Sequence, residues 1–81
     1  MHRRDNGQPI RDAMSEAGLS IEGLAERTRR IDGYGISRSA VGHMVSQGSS
    51  GRDEFEDRSC DLVAKALDKP VDQFFSDNAP T

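Results

Sequence analysis

The sequence has no tryptophan and only 5% aromatic residues, so apolar packing has to come from short amphipathic stretches, each giving one stripe to a small core. Its single cysteine, Cys60, can form no internal disulfide, as expected of a reducing compartment, and is read as a small buried hydrophobe. No run approaches the roughly 18 apolar residues of a membrane span. The opening Met-His-Arg-Arg-Asp-Asn lacks the apolar stretch of a secretory signal, so a cytoplasmic protein with no membrane partner is expected. Internal repeats and low-complexity tracts are missing too. Neither His2 nor Cys60 falls into a metal-ligand spacing. No metal, cofactor or small-molecule substrate is expected.

What remains is one polar domain. The 81 residues suffice for a single core and not for two, and 31% of them are charged. A core of this size supplies a net stability on the order of 3 to 5 kcal/mol, which dimerisation would raise. The formal net charge of −3 argues against a nucleic-acid partner until the charge is located along the chain. Residues 1–52 hold eight basic and six acidic side chains, whereas residues 53–81 hold three basic and eight acidic ones. Charges further apart than about 8 to 10 Å are largely screened at physiological salt, so a basic face in the first part can bind phosphate while the acidic end lies elsewhere.

Periodicity and capping residues predict an all-α bundle of about five short helices over residues 8–75, between a flexible arm (1–7) and a flexible tail (76–81). Pro9 opens the first segment, Ile10, Ala13, Met14 and Ala17 fall at helical spacing, and Gly18 ends it. Ser20 caps the second, whose apolar positions are Ile21, Leu24, Ala25, Thr28 and Ile31. Asp32-Gly33-Tyr34-Gly35 reads as a turn. Ser37 caps a third segment (37–46) with Val41, Met44 and Val45 inward and Ile36 as a hydrophobic staple. A Gly/Ser-rich loop follows, then the longest helix (54–67), then a last helical turn around Phe74 and Phe75 that closes the base of the core. No strand pattern is visible.

Three pieces of this order carry a family likeness: Glu16-Ala17-Gly18-Leu19-Ser20 leading into Leu24-Ala25-Glu26; Ile36-Ser37-Arg38-Ser39-Ala40-Val41; and residues 63–74, from Val63-Ala64-Lys65 to Gln73-Phe74. Together they resemble the lambda-repressor and Cro-like (XRE-type) helix-turn-helix family over residues 10–75. The resemblance implies a sequence-specific DNA-binding regulator, a repressor of phage or bacterial origin, that binds double-stranded DNA as a homodimer and is not an enzyme. It places base contacts on Ser37, Arg38, Ser39, Gly42 and His43, at the start of a helix that enters the major groove. Phosphate contacts would come from Ser20, Arg29, Arg30 and Arg52.

The chain departs from that pattern in three places. The stretch from Thr28 to Ile36 is longer than the usual turn of three or four residues. Ile21 stands where a polar residue is usual, and Gly42 in mid-helix costs about 1 kcal/mol relative to alanine. Ser39 and His43 lie four residues apart, yet with no acidic orienter a nucleophile-and-base pair is not indicated. Leu62 falls off the stripe of Cys60, Val63 and Leu67, so with Phe55, Phe74 or Phe75 it either forms a self-association patch or widens the core. An adaptor or antitoxin-like module on the same fold, using the acidic fourth helix and Leu62 to hold another protein, is the alternative function. The DNA-reading part of a longer chain is a third.

Overall fold

The computed structural model describes residues 1–46 and 54–77. In chain order they form strand β1 (His2–Arg3), a 3-10 turn (Asp5–Gly7), helices α1 (Gln8–Ala17), α2 (Ile21–Ile31), α3 (Arg38–Val45) and α4 (Asp57–Ala66), a second 3-10 turn (Val71–Gln73) and strand β2 (Phe75–Ser76). The described residues are thus mainly helical. Four α-helices are present among them, and the expected fifth is a 3-10 turn.

Each helix starts and stops for local reasons. Proline stands in the first turn of α1 and Gly18 caps its end. The Ser20 hydroxyl accepts the Gly23 N–H (3.0 Å) and the Ser37 hydroxyl accepts the Ala40 N–H (3.1 Å), each satisfying one amide that the first helical turn leaves open. Ile10, Leu24, Val41, Met44, Cys60, Val63, Phe74 and Phe75 are fully buried and make one continuous core with their neighbours. α4 packs on α2 and on the 71–73 turn. With cover on both sides its apolar stripe is wide, and Leu62 is buried within it.

Three expectations are corrected here. Leu62, Phe74 and Phe75 do not form a self-association patch: all three lie in the core, and Phe55 is half-buried with its ring edge-on to Phe75 (centroids 6.2 Å). Residues 1–7 are not a loose arm. β1 pairs antiparallel with β2 (His2 opposite Ser76, Arg3 opposite Phe75), and Arg3 is 2% exposed. Nor does the fourth helix begin at residue 54. The Phe55 N–H donates to the Met1 carbonyl (2.8 Å) and Glu54 bridges His2, which holds this stretch extended until Asp57. α4 therefore has 10 residues, one fewer than α2.

Burial gives Cys60 a titration signature. Desolvation is the main cause that pushes its thiol from 9.0 up to about 11. The folded chain favours the neutral thiol, so this contribution is intact below pH about 9 and is lost as pH rises toward 11. Denaturation midpoints of the chain and of Cys60→Ala should run parallel below pH 9 and converge above it, because only the former loses this contribution. Parallel curves throughout would show a thiol that titrates normally.

Candidate nucleic-acid interface

The exposed tip of α3 is built from the turn before it. α2 ends at Asp32, whose carbonyl accepts the Gly35 N–H (2.7 Å) while its side chain accepts the Tyr34 N–H (3.3 Å). Gly35 adopts φ +58°, and a Cβ there would overlap the backbone and side chain of Arg29, so only glycine lets this turn lie on α2. α2 runs on to Ile31, so the first part of the stretch from Thr28 to Ile36 is helix, and side chains hold the remaining turn closed. The buried Thr28 hydroxyl donates to the Ala25 carbonyl (2.6 Å) and accepts the Ile36 N–H (3.0 Å). From α4, Arg58 donates to the Gly35 carbonyl (3.1 Å) and to Asp32 (3.3 Å).

This arrangement makes Thr28 a structural anchor of the tip. Thr28→Val keeps the shape but leaves the buried Ile36 N–H without its acceptor, so it should lower stability by about 1 to 3 kcal/mol in denaturant titration. Thr28→Ser, which keeps the hydroxyl, should lose clearly less. Equal losses in the two variants would assign the effect to packing.

The far end of α3 is held by arginines that sequence reasoning missed. Arg3 donates from Nη1 to the carbonyls of His43 and Met44 (3.2 Å each) and of Ser46, and from Nη2 to Asn6 Oδ1 (3.3 Å). Arg11 donates to the carbonyls of Val45 and Asn6 (2.7 Å each). The last carbonyls of a helix have no donors of their own, and its C-terminus carries partial negative charge; two guanidinium groups meet both needs. Gly7, at φ +80°, packs so closely that a Cβ would overlap the Met44 carbonyl oxygen. No local signal could have shown this, because Arg3 and His43 are 40 residues apart.

Held at both ends, α3 presents Ser37, Arg38 and Ser39 to solvent, with Gly42 and His43 half-buried. Two shallow grooves meet at Arg38. One is lined by Ser20, Ile21, Glu22, Arg38, Ser39 and Gly42; the other by Glu22, Ala25, Arg29, Ile36, Ser37 and Arg38. The fold thus gathers Ser20, Arg29, Ser37, Arg38, Ser39 and Gly42 around the N-terminal ends of α2 and α3. His43 and Arg30 line neither groove, and Arg30 instead faces Glu26 (3.5 Å) on the exposed side of α2. Arg52 lies outside the described residues.

Electrostatically the tip is mixed. Both helix N-termini contribute partial positive charge, and neither Arg29 nor Arg38 has a hydrogen bond or ion pair among the described residues. Glu22 lines both grooves and lowers the local potential, but it stands further than 4.0 Å from any described cation, so neither guanidinium is locked to it. No residue of α4 lines either groove.

Among the described residues no three His, Cys, Asp or Glu side chains group as metal ligands, and no helix is long and apolar enough to cross a membrane. Comparisons with family models, curated proteins and solved structures give no match for this chain.

Proposed function

We propose that this chain is a helix-turn-helix DNA-binding regulator of the lambda-repressor-like kind, a cytoplasmic repressor without enzymatic activity, in which α3 enters the major groove of duplex DNA. The observation that carries the reading is the exposed Arg38 guanidinium, free of described partners, at the N-terminal end of a helix fastened at both ends. A major groove about 12 Å wide admits such a helix, and arginine at its start can donate two parallel hydrogen bonds to a guanine edge. Ser39 serves as donor or acceptor beside it, and His43 follows one turn on.

The N-terminal ends of α2 and α3, with Ser20 and Arg29, bind flanking phosphates. Arg30 and Arg52 add charge to the same backbone. Binding as a homodimer to two half-sites one helical turn apart would double the contact and offset the small size of the domain. The adaptor alternative, which would use the fourth helix and Leu62, loses Leu62 to the core.

A selection of bound duplexes from a random pool, followed by a salt titration of the best sequence, tests the reading. A palindromic motif should emerge, and the logarithm of the binding constant should fall with that of salt by about 0.9 for each phosphate neutralised. A pool without an enriched motif, or binding indifferent to salt, would remove DNA as the partner.

A further inference from the structure

Ile21 is the first residue of α2 and one of the large apolar side chains that the fold leaves accessible, at 36% exposed. It does not stand alone on the surface. It lines the same groove as Arg38, Ser39 and Gly42. Among the described residues, no atom outside its own helix backbone and its chain neighbours lies within 4 Å of where a Cβ on Gly42 would stand. The mid-helix glycine is therefore not required by packing among the described residues, although it costs helix stability. A side-chain-free notch on α3 and an isoleucine on the neighbouring helix thus line one groove whose other members are polar.

We infer that Ile21 and the Gly42 notch form a receptor for the C5-methyl group of a thymine next to the base read by Arg38. This inference rests on the DNA-binding reading and adds a second specificity determinant to it. In the major groove thymine is the base that presents a methyl group, and it is recognised by apolar contact. Ile21 cannot donate to a phosphate as a polar side chain at this position would. Its contribution is burial of apolar surface, possible only against an apolar group on the DNA. The absence of a side chain at residue 42 leaves room for the base edge to approach the helix backbone.

The test replaces thymines one at a time by deoxyuridine, which pairs identically and lacks only the methyl group, in the best duplex from the selection. One replacement beside the guanine read by Arg38 should weaken binding about fourfold, the value of roughly 0.8 kcal/mol for one buried carbon group. Ile21→Asn should bind the thymine and deoxyuridine duplexes equally while keeping the guanine preference. Gly42→Ala, whose added Cβ meets no neighbouring atom among the described residues and which should fold normally by circular dichroism, should weaken the thymine duplex more than the deoxyuridine one by crowding the methyl group.

If deoxyuridine is tolerated at every position, or if Ile21→Asn retains the discrimination, the inference is wrong while the DNA-binding reading stands. If no duplex is selected at all, both fail.

Discussion

Arg3→Met should destabilise the chain by about 2 to 5 kcal/mol and leave much of it unfolded at physiological temperature, since a core of this size supplies only about 3 to 5 kcal/mol. The guanidinium is almost fully buried and serves three carbonyls at the end of α3 together with Asn6. Methionine fills similar space but donates nothing, and a buried carbonyl without its partner costs about 1 to 3 kcal/mol. Arg3→Lys should fall between, because an ammonium keeps the charge near the helix terminus but has one nitrogen where Arg3 uses Nη1 for the carbonyls and Nη2 for Asn6. Urea midpoints of the three chains give the order directly. A loss for Arg3→Met below about 1 kcal/mol would mean that Arg11 alone satisfies the end of α3.

The same cluster shows why part of the fold could be read from the sequence and part could not. Ser20, Ser37, Pro9 and Gly18 act on residues within four positions of themselves, so the limits of α1, α2 and α3 are locally encoded. The burial of Leu24, Val41 and Cys60 follows from helical periodicity for the same reason. Arg3 carries no such mark. Nothing around it tells a surface arginine from one that enters the core, and its partners are chosen by the pairing of residues 2–3 with 75–76 at the other end of the chain. The same N-terminal segment delays the start of α4, because Met1 and His2 hold residues 54–55 extended.

Leu62 illustrates a second limit. Helical spacing reports which residues share a face, but not how many faces are covered, and α4 is covered by both α2 and the 71–73 turn. The candidate interface was more legible than the core around it. Arg38, Ser39 and Gly42 share a face of α3 by spacing alone, and exposure of the tip follows from Val41 and Met44 pointing inward. What spacing could not supply was the neighbour across the groove. Ser20, Ile21 and Glu22 reach Arg38 only through the packing of α2 on α3 and the closed 32–37 turn.

That neighbour sets the terms on which Arg38 acts, and Arg38→Ala should abolish discrimination at one base position, worth about 1 to 3 kcal/mol, while leaving stability within about 0.5 kcal/mol of the parent. Stability is spared because the side chain is exposed and has no partner among the described residues. Arg38→Lys separates charge from geometry. It should retain most of the salt dependence, since the positive charge remains, yet weaken the guanine preference, because an ammonium on a flexible stem can reach guanine O6 and N7 without the planar fork that fixes a guanidinium on both. Repeating the duplex selection with each variant reads this out, with thermal melting as the control for folding. An unchanged motif from Arg38→Ala would remove the guanine contact from Arg38, since no other arginine among the described residues lines the groove that holds Ser39 and Gly42.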